Sequence, residues 1–270
     1  GIALVFAGSP LLNLALDREG ATVEGRALPI LVGVCVLLLL VLLRSLRTVL
    51  CVLVPVGLGV LATEGSYGLL GLDTNLVVNV AKPLLFVVLL ASALHVVVGF
   101  EQRLGGGESR REAAWGAAAD KARGVALALG TTAIGFSSLA LAEVIPIRTV
   151  GLLAAAGLAA GGPLVLYALP LLLAALGPTR VRSAAARREQ RVEDALERVA
   201  RWAEARPVRL GGAAVGLVLA SALAIPHLRP STHTVAYFPE GHPVREAHEA
   251  LERAGAGLMT LEAVVKADDP

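Results

Sequence analysis

Six stretches of this 270-residue chain run without a single charged side chain, and no other feature limits its fold as strongly. They cover residues 27–43, 48–63, 83–100, 124–142, 149–179 and 210–228. A helix needs about 20 mostly apolar residues to cross the hydrocarbon core of a bilayer, within a range of about 17–25. It also satisfies its own backbone N–H and C=O groups, which lipid cannot do. Composition closes the water-soluble alternative. Only 17% of the residues are charged, against about 25% in a soluble domain. With 56% hydrophobic residues, too little polar surface remains to coat a water-facing globule. Disorder, collagen-like repeats and a disulfide scaffold fail on composition too. The pattern predicts an all-α polytopic membrane bundle of six transmembrane helices.

Two of the runs are irregular. Glu64 interrupts the second, and Pro55 and Gly57 loosen it. The fifth is too long for one straight span, and its Gly161-Gly162-Pro163 step predicts a kink. The 24 basic residues orient the bundle. If the connections alternate sides, 16 Lys and Arg fall on the side of Arg44, Arg47, residues 101–123 and residues 180–209, and 8 on the other. The positive-inside rule makes the richer side cytoplasmic. Both ends of the chain then lie outside, in the periplasm of a Gram-negative cell, and the expected location is the inner (plasma) membrane.

The resulting division is 1–26 as the end of a first periplasmic domain, and helices at about 27–46, 48–70, 83–100, 124–142 and 149–177 within 27–179. A cytoplasmic amphipathic linker helix follows at 180–207, a last transmembrane helix at 208–228, and the start of a second periplasmic domain at 229–270. In the linker, Val192, Ala195, Leu196, Val199, Trp202 and Ala203 recur at helical spacing. Asp194/Arg198 and Glu197/Arg201 pair four apart on its other face. It reads as a helix lying on the bilayer surface. Both terminal pieces read as truncated α/β segments, with strands at Ile2 to Phe6, Thr234 to Phe238 and Leu261 to Val265, and a helix from Pro243 to Ala254. The only methionine is Met259 and no basic n-region precedes the first apolar stretch, so the chain reads as an internal piece of a longer protein.

Titratable groups inside a span are expensive and usually functional. Glu64 lies near the outer end of the second span, and His95 is the deepest such group. Ser92, His95 and Gly99 are spaced to share one face of the third span. That face serves either as a proton-relay or substrate-contact surface, or merely as a neutral imidazole bonded to a neighbouring helix. Thr131, Gly135 and Ser138 share a face of the fourth span, with Thr132 and Ser137 nearby. Hydroxyls in lipid bond to other helices or back to their own carbonyls, and a polar path opposite His95 is a second use for them. Candidate transport or substrate-path residues are therefore Ser92, His95, Thr131, Ser138 and Glu64. Gly157-xxx-Gly161 and Gly212-xxx-Gly216 permit close helix approach. Cys35 and Cys51, both in apolar runs, read as small hydrophobes. No phosphate-binding loop, nucleophile elbow or HExxH zinc motif occurs, and the histidines are scattered. We expect no catalytic site, metal or cofactor. Topology explains the basic residues, so nucleic acid is not an expected partner.

Several stretches resemble the resistance–nodulation–division (RND) superfamily, nearest to its hydrophobe and lipid exporter branch with the MmpL-like and sterol-sensing-domain proteins. Leu42-Leu43-Arg44-Ser45-Leu46-Arg47 looks like the cytoplasmic turn between that family's second and third spans. Thr131-Thr132-Ala133-Ile134-Gly135-Phe136-Ser137-Ser138-Leu139, followed by Ile145-Pro146-Ile147-Arg148-Thr149-Val150-Gly151, looks like its fifth span and the turn into the sixth. Tyr237-Phe238-Pro239-Glu240 with Pro243 resembles the opening of its second periplasmic domain, and Gly8-Ser9-Pro10 the end of the first. The resemblance covers nearly the whole chain. It implies that the six spans are helices 2–7 of a twelve-span, two-half architecture that pumps hydrophobic molecules or lipids, usually with protons. One position departs from the family. Aligned on His95 and Phe100-Glu101-Gln102-Arg103, the sites of the usual relay carboxylate hold Ala91 and Ser92.

The expected function is an RND-type inner-membrane transporter that moves lipids or other hydrophobic molecules out of that membrane. Rival readings are a sterol-sensing-like lipid sensor or scaffold, and a protein-export helper from another branch of the superfamily. Expected partners are membrane lipid or hydrophobic substrate, the second half of the same chain, and a second copy or a periplasmic protein.

Overall fold

The computed structural model describes residues 9–69, 71, 76–179, 196–228, 235 and 238–253. Every regular element among them is helical. In chain order they are α1 (Ser9–Leu43), α2 (Leu46–Leu69), α3 (Leu76–Asn79), α4 (Ala81–Gly105), α5 (Arg110–Ser137), α6 (Ile145–Pro163), α7 (Leu169–Leu176), α8 (196–204), α9 (Pro207–Ala224) and α10 (Pro243–Arg253). Six helical stretches are long and apolar enough to cross a membrane: Leu11–Leu43, Leu46–Leu69, Val77–Gly105, Arg110–Leu141, Ile145–Leu176 and Pro207–His227. The chain is an all-α polytopic bundle and a multi-pass membrane protein.

The chain divides into two compact units, residues 20–196 and residues 1–19 with 197–270. In the first, α4 packs on α5, α5 on α6 and α7, and α2 on α4, α6 and α7. Its core joins Val49, Val52 and Val56 of α2 to Leu89, Val96 and Phe100 of α4, Ala113 and Ala117 of α5, and Leu158 of α6. Lipid tails are as apolar as these side chains, so close packing does most of the work of holding such helices together. Glycines supply it. A Cβ on Gly161 would come within 2.6 Å of Leu89, and one on Gly59 within 3.2 Å of the Gly161 backbone. A Cβ on Gly157 would meet Leu85 at 2.7 Å and Thr63 Oγ1 at 2.8 Å. The Gly157-xxx-Gly161 pattern is thus the seam where α6 meets α2 and α4.

The helices overrun the charge-free runs, because polar side chains cap and pair their ends. Arg44, at φ 50, makes the left-handed turn out of α1, and Ser45 Oγ accepts the Thr48 N–H to start α2. A capping box starts α5: Ser109 Oγ accepts from the Glu112 N–H, and the Glu112 carboxylate accepts from the Ser109 N–H. Residues 101–123, expected as a cytoplasmic connection, are therefore mostly helix, with a tight turn at Gly106 and Gly107. Glu64 does not break α2, because Lys82 Nζ of α4 lies 3.1 Å from its carboxylate.

The kink expected at Gly161-Gly162-Pro163 takes the form of a widened turn. Residues Leu164–Ala168 are a π-helical turn, closed by the Leu169 N–H on the Leu164 carbonyl. Pro163 cannot donate to the preceding turn and its ring crowds the carbonyl four residues back, so the helix widens before it resumes as α7.

In the second unit, α9 buries none of its residues, and nothing lies within 4 Å of a Cβ placed on Gly212 or Gly216. The expected helix after Pro243 is α10. Phe238 stacks on His242 with ring centroids 4.6 Å apart. The strands expected at Ile2 to Phe6 and Leu261 to Val265 lie outside the described residues. Of the Thr234 to Phe238 strand only Val235 and Phe238 are described, and they form a turn, the Phe238 N–H donating to the Val235 carbonyl at 3.2 Å. Residues 180–195 of the expected linker helix are likewise outside, and 196–204 are helical.

Candidate functional site: the groove between α4 and α5

Small residues leave the space between α4 and α5 unfilled along part of their length. Ala91 on α4 faces Gly124 and Ala128 on α5 across a groove of about 480 Å³. Its walls carry Ser92, His95 and Thr132, and Asp120 and Lys121 also line it. At 1.5 Å per residue, His95 stands roughly 15 Å from the Gly105 end of α4, deep within the span. Its ring is exposed within this unit, whereas Ser92, one turn away, is buried. Ser92 Oγ donates to the Val88 carbonyl of its own helix at 2.9 Å. Thr132 Oγ1 does the same to Ala128 at 2.7 Å.

Ion pairs hold the groove's frame. Asp120 accepts from Arg103 Nε at 3.1 Å and from Nη2 at 2.7 Å, tying the end of α4 to α5. Arg103 Nη1 meanwhile reaches Glu108 at 2.8 Å in the connecting turn. The guanidinium lies so close over Gly116 that a Cβ there would stand 2.6 Å from Nη1. At the opposite end of α4, the Lys82–Glu64 pair ties it to α2. Between these two clamps the groove is apolar, apart from one imidazole and two hydroxyls whose protons are already donated.

Of the five candidate residues, the structure brings together Ser92 and His95. Glu64 lies outside the groove and is engaged with Lys82. Thr131 and Ser138 are exposed and do not line it. Their hydroxyls bond back along α5, Thr131 to Leu127 at 2.9 Å and Ser138 to Gly135 at 2.7 Å. Sequence reasoning named Thr132 only as a neighbour of the Thr131 and Ser138 face, and did not single out Asp120. Their signal is the four-residue row Asp120, Gly124, Ala128, Thr132, a single stripe of α5 whose two middle members are small. No cluster of three His, Cys, Asp or Glu side chains with metal-holding geometry occurs among the described residues. Such a groove can accept an acyl chain or another apolar group beside His95. It offers no carboxylate at mid-membrane, and its one acid, Asp120, is paired at the end.

The model of one protein family, described as the MMPL family, matches residues 6–210. No curated protein matches the chain.

Proposed function

Because this chain belongs to the MMPL family, within the RND superfamily, we propose that it is the helix 2–7 part of an RND-type transporter that carries lipids or other hydrophobic molecules out of the inner membrane. The observation that carries this reading is the α4–α5 groove, apolar and open beside His95 at the depth of the acyl chains. This half moves no proton by carboxylate, since Ala91 and Ser92 stand at the relay positions. The drive then comes from a relay in the second half or from another source, or the protein is a passive lipid carrier. The chain performs no covalent chemistry in this reading.

The same absence of a mid-membrane acid on α4 favours one alternative, a lipid-binding sensor or scaffold that does not transport. The test is transfer of a fluorescent phospholipid out of proteoliposomes holding the full-length protein, with and without an imposed pH gradient. Transfer that rises with the gradient supports the transporter. Saturable binding of the labelled lipid with no transfer under either condition overturns it in favour of the sensor.

A further inference from the structure

A second groove, of about 520 Å³, opens between α2 and α7 at the end where α2 and α5 begin. Its lining is mostly apolar, with Leu50 and Val54 from α2 and Leu172 and Leu176 from α7, and includes two arginines, Arg47 and Arg110. Arg47 immediately precedes the charge-free run of α2, which puts its guanidinium at the level where a bilayer's headgroups lie. Arg110 Nη1 donates to the Gly177 carbonyl at the end of α7, at 3.2 Å. That bond fixes the side chain over the groove and uses one of the five N–H donors of a guanidinium. Neither arginine has a carboxylate partner among the described residues, in contrast to Arg103 a few residues from Arg110. Two arginines lining one apolar slot suit an anion that carries a hydrocarbon tail.

We propose that this groove is a binding site for one anionic phospholipid of the cytoplasmic leaflet, distinct from the α4–α5 groove. The phosphate bridges Arg47 and Arg110, as basic pockets between membrane helices do with acidic headgroups. One acyl chain lies against Leu50, Val54, Leu172 and Leu176. The lipid joins α2 to the α7 end of the π-widened helix, so it binds the bundle as a structural ligand and is not the cargo.

The test uses the full-length protein in nanodiscs of phosphatidylcholine doped with a photoactivatable phosphatidylglycerol, or with the matching photoactivatable phosphatidylcholine. Crosslinks are mapped by peptide mass. We expect the phosphatidylglycerol probe to label the peptides bearing Leu50 and Leu172 well above the phosphatidylcholine probe. Arg47→Gln should cut that labelling about fivefold, the effect of one basic residue at a membrane surface, while Arg47→Lys and Arg110→Lys keep most of it. Arg47 is exposed and its loss leaves the packing intact, so the comparison does not depend on Arg110 variants that could loosen α7. Equal labelling by both probes, or unchanged labelling in Arg47→Gln, overturns the proposal. Loss of labelling in millimolar inorganic phosphate overturns it as well, because the site would then hold a free anion. Transport is scored separately, so its failure leaves this result readable.

Discussion

His95 occupies a place where a charge is hardest to carry, and its surroundings give it little to relay a proton through. The two hydroxyls that share its groove, on Ser92 and Thr132, already donate to their own helices. A lone imidazole without an adjacent carboxylate makes a poor proton path, so we predict that His95 shapes the groove and does not relay protons. His95→Gln and His95→Leu should both leave stability within about 0.5 kcal/mol, as for substitutions outside a packed core, and His95→Gln should transport within about twofold of the parent. Transport rates normalised to folded protein check this; loss of transport in both variants at unchanged stability assigns the imidazole a relay role instead. The glycines differ from one another more sharply. Gly161→Val drives methyls into Leu89 and should cost about 1–3 kcal/mol. Gly216→Val meets nothing and should be near neutral in this half. Unfolding in mild detergent separates the two. Both glycines look alike in sequence, each in a small-xxx-small pattern. Which one is a seam depends on the rotation of its helix against a neighbour. For the same reason Ser92 and His95 were legible as one face of one helix, whereas Thr132 was not. The α5 span is apolar nearly all round, so its periodicity does not say which side meets α4.

Helices existed where the charge-free runs placed them, and their ends did not. Hydropathy marks the part of a helix that sits in lipid, but a helix stops where its backbone loses partners, and that is decided by caps. Ser109 and Glu112 start α5 well before Gly124, where its apolar run begins. The box is visible as Ser-x-x-Glu in sequence, although the charges around it read as a loop. Ser109→Ala removes the oxygen that accepts the Glu112 N–H, and should cost about 0.5–2 kcal/mol. The loss should appear as faster amide exchange confined to the first turn of α5. Exchange unchanged there, or accelerated along the whole helix, would show that the cap does not set this end. The fifth run behaved differently. Its Gly-Gly-Pro step marked the place of the irregularity, while the π form of the turn follows from how the chain regains its hydrogen bonds after Pro163.

Across the molecule, α4 is the axis of the described bundle. It is tied to α2 by Lys82–Glu64 near one end and to α5 by Arg103–Asp120 near the other, with only apolar contacts and the His95 groove between. Charged pairs at both ends of an apolar rod suit a spanning helix, because charges are costly at the bilayer centre and tolerated near its interfaces. The same logic makes the topology testable on α5. Glu108 just precedes this helix and Glu143 follows the short 3-10 turn after it, so the two are separated by roughly 50 Å of helix. In a background with Cys35 and Cys51 replaced by Ala, single cysteines at Glu108 and Glu143 should react with a membrane-impermeant maleimide from opposite sides. The charge count places Glu108 on the cytoplasmic side, since 16 of the 24 basic residues share that side when connections alternate. Intact cells should therefore label Glu143→Cys, and Glu108→Cys should label only after the cells are opened. Labelling of both from one side would mean that α5 does not span. Labelling from opposite sides in the inverted order would keep the six-span bundle and overturn its orientation, and with it the cytoplasmic placement of Arg47 and Arg110.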